Sequence, residues 1–323
     1  MLSEFDIIQR YFYRAAPGAV LGIGDDAALI QPSAGMELAI STDVLVSGQH
    51  FFADADPRGL GHKSLAVNLS DMAAMGARPR WATLSLALPT NMARENDKWL
   101  EAFSDGFFNL ADAYQVDLIG GDTTKGPLTI CVTIIGEVAR GKALRRSGAR
   151  SGDDIWISGH LGDAALALAH QQGHIALEPR EIDACLPALN MPTPRVGLGQ
   201  RLIGLARSAI DISDGLLADL GHILKCSKAS AIISLPDINC SAPLRRCLPH
   251  PLALKCLLAG GDDYELCFSA ARSKRAKIET LSRELGLPLT RVGKIGMGEG
   301  LVVLDAAGDA VTLETTGYDH FRA

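Results

Sequence analysis

The 323-residue sequence has seven cysteines but no Cys-x-x-Cys pair, and their odd number excludes complete pairing into disulfides. Cys131, Cys185, Cys226, Cys240, Cys247, Cys256 and Cys267 lie scattered among apolar neighbours, and read as reduced core thiols of a cytoplasmic protein rather than zinc ligands. A basic excess is also missing. The 31 Lys and Arg stand against 37 Asp and Glu, a formal charge of −6, which argues against a nucleic-acid backbone or an anionic membrane as partner. No uninterrupted apolar run approaches the roughly 18 residues of a membrane span. The opening MLSEFDIIQRYFYR has no apolar stretch followed by a small-residue cleavage site, so no export signal is expected.

Several catalytic fingerprints are missing as well. No GxGxxG follows a predicted strand and GxSxG does not occur, which removes support for a dinucleotide oxidoreductase or an α/β-hydrolase. GEVARGKA (136–143) matches the GxxxxGK part of a P-loop, but Ala143 stands where a metal-binding Ser or Thr belongs.

What is present is a 47% apolar chain, long enough for two α/β domains. Phe5, Ile8 and Phe12 have helical spacing before the Pro17-Gly18 break, so an amphipathic helix opens the chain. A strand over 38–46, a helix over 57–76, a strand over 81–88 and a helix over 92–114 follow. Next come a strand over 116–122 running into a glycine turn, and a strand over 128–138. The polar, Gly- and Arg-rich stretch 139–153 marks the boundary between an N-terminal domain (1–140) and a C-terminal α/β domain (150–323). In the second domain the pattern predicts helices at 162–173, 194–207, 215–227 and 272–286. Its strands are predicted at 154–159 and near 209–213, 230–235, 265–269 and 290–294.

The chemistry concentrates in aspartates at strand ends. GIGDDAA (22–28), ISTDVL (40–45), GGDTT (120–124) and AIDISDGL (209–216) each place Asp where a strand meets a turn, and Asp71 sits in the helical NLSD. A single Asp-Gly pair makes a turn or a helix cap; it is the set that points to a site. Carboxylates without adjacent Lys or Arg repel one another if they converge, and a divalent cation offsets that repulsion. Oxygen donors, with the Ser41 and Thr42 hydroxyls beside Asp43, suit Mg²⁺, whereas zinc would call for His and Cys. Gly120-Gly121 and Gly260-Gly261 both precede acids and are read as phosphate cradles, with Arg145 and Arg146 as further phosphate contacts. His50 and His160 are the histidines nearest these loops.

In order, GIGDDAA, ISTD, VNLSDMAAMGA, LIGGDTT, the Arg-Ser-Gly at 146–148, AIDISDGL, GGDDYEL and the terminal GYDHF (317–321) resemble the thiamine-monophosphate kinase family over nearly the whole chain. The resemblance implies an aminoimidazole ribonucleotide synthetase-like fold and a homodimer in which the N-terminal sheets of two subunits pair into a barrel. It also implies ATP and thiamine monophosphate as substrates and several Mg²⁺ ions as cofactor. Carried over position by position, Asp26, Ser41, Thr42, Asp43, Asp71, Asp122, Asp211 and Asp214 match the metal ligands, with Asp25 in support. Asp43, Asp71 and Asp122 fall at the reacting groups. Gly121, Asp122, Arg146 and Ser213 match ATP contacts, and His50, Asp262 and Tyr318 match contacts to the thiamine substrate. Two other readings use the same acids: a sister ATP-dependent synthetase of the aminoimidazole ribonucleotide or selenophosphate type, and a non-catalytic module that holds Mg²⁺ and nucleotide.

Overall fold

The structure, a computed structural model, describes residues 3–90, 92, 97–313 and 317–318. These divide into two units, Met1–Met72 with Ala77–Gly141, and Ala73–Gly76 with Lys142–Ala323.

In the first unit Ser3 caps α1 (Glu4–Ile7): its Oγ accepts the Asp6 N–H, and the Asp6 carboxylate accepts the Ser3 N–H. The predicted opening helix continues as a π-helical turn over Ile8–Phe12. β1 (Met36–Val46), β2 (Arg78–Leu88), β3 (Asp117–Lys125) and β4 (Thr129–Ala139) form a sheet in the order β1-β4-β2-β3. β4 is antiparallel to both β1 and β2, while β2 and β3 run parallel. That parallel pair needs a crossover, supplied by α3 (Asp97–Tyr114). Leu100, Phe103, Phe107 and Ala111 recur along one face of α3 at helical spacing and are buried. α2 (Pro57–Ala74) is buried along nearly its whole length. Along β2 and β4, Leu84, Leu86, Leu88, Ile130, Val132 and Ile134 alternate inward at period two to complete the core.

The second unit holds β5 (Asp154–Ser158), β6 (Ala206–Ile212), β7 (Ser230–Ser234), β8 (Glu265–Ala270), β9 (Leu289–Gly296), β10 (Leu301–Leu304) and β11 (Ala310–Val311). The sheet order is β11-β10-β7-β9-β5-β8-β6, so β5 lies inside and β6 is an edge. Its helices are α4 (Asp163–Gln171), α5 (Pro179–Asn190), α6 (Val196–Leu202), α7 (Leu216–Ser227), α8 (Ala242–Cys247), α9 (Pro251–Ala259) and α10 (Arg275–Leu285). Ile155, Ile157, Ile210, Ile212, Leu220, Ile223 and Ile233 share one apolar core. All seven cysteines are free, and among the described residues no helix is long and apolar enough to cross a membrane.

The mixed α/β class agrees with the sequence pattern, with three local differences. The helix expected over 194–207 is only Val196–Leu202, because Gly204 takes φ +78 and the chain turns into β6 at Ala206. Helices α5, α8 and α9 and strands β10 and β11 were not expected. Gly120-Gly121 do not form a turn after β3 but lie within it, beside a register irregularity between Ala82 and Thr83. The backbone at Gly121 has φ +146, and a Cβ there would sit 1.8 Å from Leu84 O. This glycine lets two strands approach closely, where the sequence reading had an open cradle.

Asp154 is fully buried and receives both Arg275 Nε and Nη2 at 2.6 Å, a bidentate pair across the second unit. Burial pushes this carboxyl up, but the hydrogen bonds and charge of Arg275, with Arg291 and Arg272 behind, outweigh it and hold it below the ordinary value.

Two outcomes are expected. Gly121→Ala, facing both the positive φ and the Leu84 carbonyl, should lose about 3 kcal/mol of stability, seen as a lower urea midpoint. Asp154→Asn should lose about 3 kcal/mol at neutral pH. Because the folded carboxyl is more acidic than the unfolded one, the pair's contribution is complete above the ordinary carboxylate range and fades as pH falls through it. Stability measured from pH 7 down to pH 3 should therefore fall more steeply in the natural protein than in the variant.

Candidate functional site

Strand alternation sorts the acids of the first unit. Ser41 and Asp43 pair with Ile134 and Val132, both buried, so they stand on the helix-covered face of the sheet. There Ser41 Oγ donates to Asp71 Oδ2, on α2, at 2.5 Å. Ser41, Asp43 and Asp71 thus share one face. Thr42 points the other way, where its hydroxyl meets Thr133 Oγ1 at 2.8 Å. The Thr42 hydroxyl thus stands on the face opposite Ser41 and Asp43, since neighbouring side chains of a strand point opposite ways.

Asp122 is also separated from Asp43. Register connects Asp43 to Val132, Val132 to Leu84 and Leu84 to Gly121, so these two acids lie at opposite edges of the sheet. Three strand spacings amount to about 14 Å, too far for two aspartates to share one ion directly. Thr123 is buried beside Leu86 on the helix face, which turns exposed Asp122 to the face that carries Thr42, Ile40 and Val44.

Asp25 and Asp26 are exposed on a loop closed by the Leu21–Leu29 bridge. Carboxylates pin its stems. Asp117 accepts the Gly18 N–H at 2.6 Å, and Trp81 Nε1 donates to Gly18 O at 2.9 Å. Glu137 accepts the Ser33 N–H at 2.6 Å and Arg80 Nη1 at 2.7 Å. Burial raises the Glu137 carboxyl, but the Ser33 and Arg80 hydrogen bonds and the Arg80 charge bring it below its ordinary value. His50, half-buried, closes a turn after β1, where its Nδ1 accepts the Val46 N–H at 3.1 Å.

In the second unit, buried Asp211 ends β6 and the chain turns through Ser213, Asp214 and Gly215 into α7. The turn is held on two sides. Asp219, in the first turn of α7 and 3% exposed, accepts the N–H groups of Ser213, Asp214 and Gly215 on one oxygen, each at 3.1 Å. Burial, with the Asp211 and Asp214 charges, pushes the Asp219 carboxyl up to about 7 against the pull of those N–H groups. On the other side, the Asp262 N–H donates to Ser213 O at 2.9 Å and the Tyr318 N–H to Asp214 O at 3.0 Å. Asp262 takes φ +68, and its Oδ1 accepts the Tyr264 hydroxyl at 2.9 Å. Three segments far apart in sequence, carrying Asp211 to Asp214, Asp262 and Tyr318, therefore meet at one turn. Residues 319–321 of the GYDHF string lie outside the described residues.

A Cβ at Gly261 would sit 2.5 Å from Ser213 O, so this glycine serves the close docking of the 262 segment on the turn. Arg146 is exposed near the other end of the same strand–helix pair. Its carbonyl accepts Ser227 Oγ at the end of α7, while the Arg145 carbonyl accepts the Ala209 N–H. The structure does not bring Arg146 to the Ser213 turn.

Sequence reasoning passed over Asp219, although an acid in the first helical turn after Ser-Asp-Gly is a signal for N–H capping. It also passed over a cavity of about 260 Å³ lined by His160, Asp163, Arg195, Asp263 and Glu265. There Arg195 Nε donates to Glu265 at 2.7 Å, and Glu265 also accepts the Ser158 hydroxyl. Among the described residues no three His, Cys, Asp or Glu side chains are gathered as a ready-made metal cage.

Residues 24–138 match the family model described as "AIR synthase related protein, N-terminal domain". Thiamine-monophosphate kinase of Escherichia coli (strain K12) is 46% identical over 324 residues, covering 99% of this chain and 98% of the relative. A crystal structure of thiamine-monophosphate kinase from Stenotrophomonas maltophilia K279a superposes with a TM-score of 0.84 at 49% identity, over 94% of this chain and 95% of the other. A structure described as AaThiL complexed with AMPPCP and TMP superposes with a TM-score of 0.78 at 30% identity, over 98% and 96% of the two chains.

Proposed function

The chain belongs to the thiamine-monophosphate kinase family, and from that premise we propose that it transfers the γ-phosphoryl group of ATP to the phosphate of thiamine monophosphate. The products are ADP and thiamine diphosphate, and the reaction is the last step in making the diphosphate. The observation that carries this reading is the likeness, over nearly the full chain, to a structure holding AMPPCP, an ATP analogue, together with TMP.

The acceptor is a phosphate monoester whose second pKa is about 6, so its attacking oxygen is already ionised at neutral pH and no protein base is required. One P–O bond forms from that oxygen to the γ-phosphorus while the bond to the β-phosphate oxygen breaks, and ADP leaves with the electron pair. The barrier is the approach of two anions in line, which makes positioning and charge neutralisation the task of the site.

The donors on the helix face of the first sheet, Ser41, Asp43 and Asp71, are all oxygen, as Mg²⁺ prefers. The one nearby thiol, Cys131, is pushed up by burial and by the Asp43 charge, so no thiolate competes in the manner that would favour zinc. When bound, Mg²⁺ supplies the positive charge that offsets the phosphate oxygens. We assign Ser41, Asp43 and Asp71 to hold it in the first unit, with Asp26 from the pinned loop. In the second unit Asp211 and Asp214 have that role and Ser213 meets ATP. Gly121, Asp122 and Arg146 are assigned to the nucleotide by family position, and His50, Asp262 and Tyr318 to the thiamine moiety. Asp262 and the ring of Tyr318 suit its cationic thiazolium.

We assign the outer face of β1, with Thr42, to contact with a second copy of the chain. β1 is an edge strand, and its Leu38, Ile40 and Val44 are 37%, 63% and 46% exposed, an apolar row that partnering would cover. The seven free thiols support a reducing, cytoplasmic compartment.

With ATP and thiamine monophosphate as the only substrates, mass analysis should show ADP and thiamine diphosphate in equal amounts; ATP consumption that needs another acceptor would instead mark a sister synthetase. Asp43→Asn should lower kcat on the order of 100-fold with an unchanged circular dichroism spectrum. Exposed Lys142, in the P-loop-like string, should tolerate Ala with little kinetic change. Ile40→Lys should shift the protein from dimer to monomer in analytical ultracentrifugation.

A further inference from the structure

We propose that Asp219 is a positioning residue for phosphoryl transfer: through one carboxylate oxygen it fixes the turn from which Asp211, Ser213 and Asp214 act. The proposal rests on the assignment of those three residues to Mg²⁺ and ATP made above. The geometry is specific. Three consecutive N–H groups, of Ser213, Asp214 and Gly215, converge at 3.1 Å on Asp219 Oδ2. Gly215, the N-cap of α7, provides no side-chain acceptor, so without Asp219 these donors would be left unsatisfied at a partly buried helix start.

The same turn gives its carbonyls to the substrate side. Ser213 O accepts from the Asp262 backbone and Asp214 O from the Tyr318 backbone. The 213–214 and 214–215 peptides are therefore fixed at both ends, N–H toward Asp219 and C=O toward the residues assigned to thiamine, while the Ile212 carbonyl before them accepts the Tyr264 N–H. Convergence of the three N–H groups commits that Asp219 oxygen to the backbone. A rotation of the turn would move Asp214 and Ser213 together with the backbone anchors of Asp262 and Tyr318. Asp219 thus links the nucleotide-facing and thiamine-facing parts of this unit without touching either substrate.

The test compares the natural protein, Asp219→Ala and Asp219→Asn in two measurements: amide hydrogen exchange at residues 213–215 without metal or nucleotide, and calorimetric binding of AMPPCP across a MgCl₂ titration. In Asp219→Ala, exchange at the three amides should accelerate, and the Mg²⁺ concentration for half-maximal AMPPCP binding should rise about 10-fold or more, the scale of one lost hydrogen bond. Asp219→Asn keeps an acceptor oxygen but not its charge and should fall between, with a rise of about 3-fold. A folded Asp219→Ala protein with natural exchange and natural Mg²⁺ dependence overturns the proposal. Should Asp219→Ala not fold, Asp219→Asn decides, and natural values in both measurements overturn it. If the natural protein binds AMPPCP equally well with and without Mg²⁺, the functional assignment of Asp211 and Asp214 fails, while the exchange data still report whether Asp219 holds the turn.

Discussion

Carboxylate oxygens that accept backbone N–H groups hold the acidic loops of this chain in place, and the rest of the site depends on them. Asp219 binds three consecutive amides of the 213–215 turn, while Asp117 and Glu137 bind the Gly18 and Ser33 amides at the stems of the loop that carries Asp25 and Asp26. A loop rich in aspartate is pushed apart by its own charge, and apolar packing has little to grip on it. Directional bonds from its backbone to a fixed acceptor solve that problem, and a charged acceptor makes each bond stronger than a neutral one. Two kinds of acid result: those whose oxygens hold the backbone, such as Asp117, Glu137 and Asp219, and those carried on the segments so held, such as Asp25, Asp26 and Asp214.

The two kinds are coupled through charge. Asp219 lies close enough to Asp211 and Asp214 for their negative charges to push its carboxyl up, in addition to the effect of burial. The opposite balance holds at Glu137 and Asp154, where an arginine faces the buried carboxylate and keeps it ionised. At Glu137 and Asp154 the arginine charge offsets burial, whereas at Asp219 the charges of Asp211 and Asp214 add to it. A bound cation beside Asp211 and Asp214 would ease the same repulsion.

Much of this was legible in the chain. ELAISTDVL reads as a strand and NLSD as helical, and once Ser41 and Asp71 are set on facing elements their hydrogen bond follows. The aspartate strings in order were enough for the family. What the residues did not reveal was register. Whether Asp43 and Asp122 share a face depends on how four strands align, and the irregularity at Ala82–Thr83 sets part of that alignment. Thr42 shows the same limit in smaller form, since adjacency in a strand means opposition in space. Gly121 and Gly261 were read from their neighbours as phosphate cradles, yet each faces a backbone carbonyl of another segment, a contact that appears only on folding. Asp219 carried a local signal, but its three donors are brought together by the bend of the turn.

Strand β1 has one further implication. Among the described residues it pairs with β4 alone, in a register that joins Met36 to Ala139, so it closes on a partner far away in sequence. Such a pairing is entropically costly, because a long loop must be closed before the ladder gives anything in return. Ser41 and Asp43 ride on that strand, so the face on which Ser41 meets Asp71 is complete only when this long-range ladder is in place.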